Sequence, residues 1–437
     1  MIRPFLALAL LSAAGPPALN LAEVWPEFRG PFGNGYSPAR GLPLHWGEGR
    51  NVRWKTAIHG RGWSTPAVWG RQVWLTTASE DGRQMSVLCL DRETGRILLD
   101  RVLFRNANPE PLGNSVNSYA SPSPLVDEGR VIVHFGSYGT ACLDTRTFQT
   151  LWVRRDLPCR HYRGPASSPI AFEKSVILTF DGVDVQYLAA LDRATGRTLW
   201  RADRTAEWND LDARGLPQME GDARKAHSTP IVIQVGGRPL LVSVGAKAAY
   251  GHDPRTGREV WKASFSGFSA SLRPVAGHGL VFIPTGYSGQ PFWALRPDGQ
   301  GDVTRTHVAW TLTRGVPQKP SPVLVDGLLY LLGDSGVMTC VDAATGAVIW
   351  QERVGGQYSA SPLHADGRIY CFSEGGRSVV LRPGRAFQVL AENSLEQGMM
   401  ASPAAAGRAL YLRTKTHLYR IEEPAAGGQE TGRRARQ

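Results

Sequence analysis

One ten-residue phrase is written five times in this chain. LDRATGRTLW occupies 191–200, HDPRTGREVW 252–261, VDAATGAVIW 341–350 and LDRETGRILL 90–99. LDTRTFQTLW at 143–152 is the same phrase with its Gly replaced. Each part has a physical reading. The Asp ends a strand and can accept a hydrogen bond from the backbone two residues on. The Gly, four residues after the Asp, supplies the positive φ that closes a tight hairpin. The Trp, eight residues after the Asp, is expected to end the next strand and is large enough to fill a wedge between neighbouring units. It stands at Trp152, Trp200, Trp261 and Trp350, with Leu99 and Leu390 in its place elsewhere and Trp310 after a longer turn.

A second signal lies upstream of each phrase. Ser-Pro or Thr-Pro appears at Pro66, Pro124, Pro169, Pro230, Pro322, Pro362 and Pro403, and Arg273-Pro274 fills the same slot. After each Pro come a short apolar stretch, a turn and an alternating strand such as GLLYLLGD (327–334) or GRIYCFSE (367–374). Four short strands per unit make an antiparallel meander. Units of about 40–60 residues are the signature of propeller blades. The chain is therefore expected to be all-β, an eight-bladed β-propeller of four-stranded antiparallel blades over residues 23–423. Seven blades would need one Pro signal to be spurious. The eighth unit lacks its Trp strand, and NVRWKTAI (51–58), with Trp54, supplies it from the other end of the chain. Closing the ring this way leaves no sheet edge open.

Composition narrows the class further. With 42% hydrophobic and 20% charged residues, the 437-residue chain can bury a large core. Residues 1–22 read as a secretory signal peptide: Arg3, an apolar run from Phe5 to Ala14, then small residues. A buried helix or a membrane anchor is the competing reading, and Gly15, Pro16 and Pro17 end the run too early for a span. The expected place is the periplasm or cell envelope, with peripheral or no membrane contact. The tail 424–437 is expected to be disordered. The net charge of +11 is spread among acids without a dense basic patch, so nucleic acid is not an expected partner. Cys89, Cys142 and Cys340 share one register, where other units hold Ala190, Gly251 and Ala294. That slot takes a small buried side chain, and inert core thiols are expected there.

The blade pattern resembles the quinoprotein-type (PQQ-like) repeat propellers. The opening WPEFRGPFGNGYSP (25–38), with WKTAIHGRGWSTP (54–66), resembles the start of exported bacterial members often described as BamB-like. The resemblance spans roughly 25–423. It implies the propeller fold and leaves two functions open. One is a non-catalytic scaffold for a protein or peptide, acting in envelope or outer-membrane protein assembly. The other is a PQQ-dependent alcohol or sugar dehydrogenase with calcium. The chain departs from both groups: it has neither adjacent cysteines nor a Cys near the signal region. No residue of the quinone or calcium site of such dehydrogenases matches a position here.

A propeller binds ligands at its channel and the loops of one face. The strand beginning at Ser-Pro is expected to be innermost, so the residues just before each Pro should ring one mouth. They are Arg61, Trp63, Tyr119, Arg163, Lys225, His227, Lys319, Tyr358 and Met400, with Arg273 directly before its Pro. The ring is basic and aromatic with no acid among these residues. It suits an anionic ligand, or a peptide with an acidic or aromatic side chain; the alternative is a solvated rim. Two long loops should flank it, 104–121 and 203–228. The second carries Asp203, Glu207, Asp210, Asp212, Glu220 and Asp222, a solvated acidic loop or a calcium site. HExxH, GxSxG and the phosphate-loop motif are all missing. The sequence thus favours a monomeric, non-catalytic binding protein without a cofactor, with the dehydrogenase as alternative.

Overall fold

The computed structural model describes residues 19–424. Most of the expected signal peptide and all but the first residue of the expected tail lie outside the described residues. Eight sheets, each with four antiparallel strands, form the eight-bladed β-propeller. The strand that follows each Pro is innermost: Ala67–Trp69, Leu125–Asp127, Ile170–Phe172, Ile231–Val235, Val275–Gly277, Val323–Val325, Leu363–Ala365 and Ala404–Ala406. We number blades 1 to 8 in that order. Val52–Ala57 pairs antiparallel with His417–Ile421 and closes blade 8. Two short strands add fifth members, Gly301–Asp302 to blade 4 and Tyr36–Ser37 to blade 7.

The repeated phrase is the joint between blades. Asp192 Oδ1 accepts from the amides of Ala194 and Thr195 and from the Thr195 hydroxyl, and the Gly196 amide closes on the Asp192 carbonyl. Trp152 of blade 2 lies on this turn of blade 3, and its Nε1 donates to the Arg193 carbonyl at 3.0 Å. The same contact joins Trp54 to Arg92, Trp200 to Pro254, Trp261 to Pro297, Trp310 to Ala343 and Trp350 to Gly384. A Cβ on Gly95, Gly196, Gly257 or Gly346 would come within 2.6–2.7 Å of the indole above it. Gly is therefore required twice there, for its positive φ and for the approach of the indole. The small slot has the same cause. Cys142, Ala190, Gly251, Ala294 and Cys340 each pair across the sheet with their own blade's Trp. All five cysteines are free and buried. Burial pushes the thiols of Cys142 and Cys371 up to about 12.

The Ser-Pro signal makes a second joint near the axis. The Ser123 hydroxyl accepts the Thr65 amide, Ser168 that of Ser123, and Thr229 that of Ser168. Ser321 accepts the Arg273 amide, Ser361 that of Ser321, and Ser402 that of Ser361. Six blade junctions are thus tied by one hydroxyl each.

The chain upstream of the closing strand crosses one mouth of the channel. Trp25 pairs with Val68 of blade 1, and the Pro26 carbonyl takes the Val126 amide of blade 2. Glu27 meets Arg273 of blade 5 at 2.9 Å, and Arg273 also donates to the carbonyls of Pro230 and Phe28. Arg29 is almost fully buried and reaches the carbonyls of Pro322, Pro362 and Asn34. Ser37 donates to the Ala405 carbonyl of blade 8. This crossing segment closes the channel at one end.

Candidate functional site

The other end is open. A cavity of ≈ 700 Å³ runs from the loops down to Phe28 of the crossing segment. The expected mouth residues Trp63, Arg163, Lys225, His227, Lys319 and Met400 line it. They come from five blades because each sits just ahead of an inner strand.

The remaining expected residues do other work. Arg61 lies over the Trp63 ring, 5.3 Å from its centroid, and donates to the carbonyls of Ser115 and Asn117, holding loop 104–121. Tyr119 is buried, and its hydroxyl donates to the Glu110 carbonyl at 2.8 Å. Tyr358 is fully buried among Val354, Cys371 and Val379. For both tyrosines, an apolar ring at this register turns into the space between blades rather than toward the axis. Arg273 is corrected as well. Directly before its Pro, it points to the closed end, where Glu27 holds it.

Acids from outside that register join the ring. Lys225 pairs with Asp222, and Lys319 with Glu374 at 3.0 Å and Asp334 at 3.6 Å. Asp222 stands on the long loop, and Asp334 and Glu374 end the alternating strands, all outside the register that selects the mouth residues. Arg163 differs. Among the described residues it has no carboxylate within ion-pair distance; it donates to the Gly113 carbonyl at 2.9 Å and stacks on Tyr162. Burial, then Lys225 and His161, push the His227 imidazole down to about 3, so it is neutral at pH 7. Burial also lowers Lys225, opposed by Asp222, with Arg163 adding to the depression. Arg163, Lys225 and His227 line the same cavity.

Both long loops reach the cavity, through Asn114, Val116 and Asn117 and through Asp222, Lys225 and His227. Acids of the second loop sit beside arginines: Asp203 with Arg201, Asp210 with Arg224, Asp212 with Arg214. Among the described residues no three His, Cys, Asp or Glu gather as a metal site, and no helix is long and apolar enough to cross a membrane. The sequence reading missed Phe28, Phe268, Tyr287 and the serines Ser269, Ser271 and Ser359. The signal for Phe28 lies in WPEFRGP, whose place across the axis no local pattern shows.

Calcium beside a quinone needs carboxylate and amide oxygens free to bind it. Here Asp222, Asp334 and Glu374 are each engaged by a lysine. The cavity's donor set does not fit that pair.

Comparison with known proteins returns both groups that the repeat resembles. The chain is 25% identical over 209 residues to the outer membrane protein assembly factor BamB of Yersinia pestis, covering 44% of this chain and 48% of that one. It is 28% identical over 244 residues to the 1-butanol dehydrogenase (quinone) of Thauera butanivorans, covering 49% and 34%. The chain thus spans less than half the length of these two relatives. Among solved structures, BamB from Moraxella catarrhalis superposes with a TM-score of 0.58 at 14% identity, over 84% of this chain and 99% of that one. The quinohemoprotein alcohol dehydrogenase of Comamonas testosteroni superposes with 0.65 at 13% identity, over 96% and 83%. Such identities carry the fold alone. The family model described as outer membrane protein assembly factor BamB matches residues 50–186 and 250–385, more than half of the chain. With blades, joints and repeat in agreement, this chain belongs to that family of PQQ-like repeat propellers.

Proposed function

We propose that the protein is an exported, non-catalytic propeller that binds a protein or peptide partner, or a small anionic ligand, at the open mouth of its channel. Its place is the periplasm or cell envelope, and its process the assembly of envelope or outer-membrane proteins. The observation that carries this reading is a blind cavity between two long loops, with Arg163, which has no carboxylate partner among the described residues, on its wall. The relatedness to BamB supports the partner class. A photo-crosslinking residue placed at Val116 or Tyr287 of the mouth tests it. Crosslinks to a partner are expected from these positions, weakened by Arg163→Gln, and none from Leu151 on an outer strand. Equal labelling at all three sites, or none at the mouth, rejects the reading.

A second reading has one support, the similarity to quinone-dependent dehydrogenases over about half of the chain. It predicts dye-linked alcohol oxidation after reconstitution with PQQ and calcium. The engaged carboxylates of the cavity weigh against it.

A further inference from the structure

The cavity is a cup. Phe28 lies at its floor, and the crossing segment behind Phe28 is tied to inner strands around the ring. A polypeptide cannot thread through the axis, so what enters is a chain end or a side chain.

The groups left over inside the cup are donors. A guanidinium carries five N–H groups, and Arg163 spends its one hydrogen bond among the described residues on Gly113. Ser168, Ser361 and Ser402 line the cup, and each hydroxyl accepts a backbone amide from the neighbouring blade. Among the described residues none of the three donates in turn. A hydroxyl has one proton to give besides its lone pairs, so each keeps a donor. The lining carboxylates, by contrast, are engaged by lysines. A ligand rich in acceptors and negatively charged matches this inventory; an ammonium does not.

The rim has the opposite character. Val116 and Tyr287 line the mouth at 48% and 54% exposure, and loop 203–228 carries Met219 at 66%. Met219, Glu220 and Gly221 hold positive φ in succession, a costly backbone for the first two.

Resting on the mouth-binding reading, we infer that the cup takes the free C-terminal carboxylate of an extended partner polypeptide. Arg163 is the charge partner of that carboxylate, and apolar residues preceding the terminus lie on the rim. A blind cup selects an end over a segment. The donor surplus selects the carboxyl end over the amino end.

The test pans the full-length protein against matched pools of synthetic ten-residue peptides, identical in sequence, with free or amidated C termini. Free-acid peptides should enrich. For a selected pair, the acid should bind roughly 10- to 100-fold more tightly than the amide at low salt, the scale of one charge-assisted contact. Arg163→Gln should bring that ratio close to one, while Arg163→Lys keeps part of it and the exposed Arg408→Gln all of it. Melting curves confirm that each variant is folded. Equal binding of acid and amide, a ratio unchanged in Arg163→Gln, or enrichment of neither pool overturns the inference. A partner crosslinked at Val116 or Tyr287 through an internal segment also overturns it, while leaving mouth binding intact.

Discussion

At residue scale, the exceptions to the repeat explain each other. Leu99 replaces the joint Trp of blade 1, and Phe148 replaces the turn Gly of blade 2, the turn on which that Trp would lie. Phe148 keeps the turn's positive φ of 60° and packs edge-on against Trp74, with Leu99 in the same cluster. The volume lost at one position is regained at the other. Leu390 of blade 7 faces blade 8, whose third and fourth strands come from opposite ends of the chain. No turn exists there for an indole to cover. A double-mutant cycle tests the compensation at the first junction. Phe148→Gly should cost about 2–4 kcal/mol through the void it opens. Leu99→Trp should clash with Phe148 and cost about 1–3 kcal/mol. The double variant rebuilds the common joint and should recover at least about 1 kcal/mol of the summed loss in chemical denaturation. Simple additivity would mean the two positions do not share the joint.

At the scale of elements, the crossing segment differs from the strands it meets. It contributes two residues to a sheet, Tyr36 and Ser37 against His364 and Ala365. Its remaining ties are a few single backbone bonds, Trp25 with Val68, Pro26 with Val126 and Gly35 with His364, and side chains at the axis. Burial, then the charge of Arg273, push the Arg29 guanidinium down to about 9; it stays charged at pH 7, held by carbonyls. Arg29→Ala leaves the carbonyls of Pro322 and Pro362 without that donor and should cost about 2–4 kcal/mol. Hydrogen exchange should locate the loss. Protection is expected to fall at the amides of Trp25, Gly33 and Gly35, which bond Val68, Gly30 and Arg29 carbonyls, while the blade strands keep theirs. Uniform loss across the blades would show that the segment and ring unfold as one unit. This element also marks where sequence reading stops. Blades, turns, joints and the small slot follow from periods and turn chemistry that act within a few residues. So does the register that places Trp63, Arg163, Lys225, His227 and Lys319 at one mouth. Tyr119 and Tyr358 share that register yet turn into the packing between blades, because the choice depends on neighbouring loops. The pairing of Glu27 with Arg273 spans 246 residues and has no local signature. The same holds for Lys319 and Glu374.

For the whole molecule, the decisive contact is the one that joins its ends. Strand Val52–Ala57 satisfies the backbone of His417–Ile421, and Trp54 caps the Gly95 turn of blade 1 while donating to the Arg92 carbonyl at 2.9 Å. One short element therefore seals a sheet edge and a blade junction together. Two truncations separate this closure from the crossing segment. A chain beginning at residue 49 loses the segment and the cup's floor but keeps the strand. It should stay monomeric and melt at a lower temperature. A chain beginning at residue 59 also loses Trp54, worth about 3–5 kcal/mol when buried. It further exposes the edge of a strand whose Leu418, Tyr419 and Ile421 are fully buried in the intact ring. An open, apolar edge invites pairing between copies. Light scattering should then report aggregation of the shorter chain at concentrations where the longer one remains a monomer. If the shorter chain is monomeric and melts with the longer one, the ring is held by its Trp and hydroxyl joints alone, and the terminal strand is not its lock.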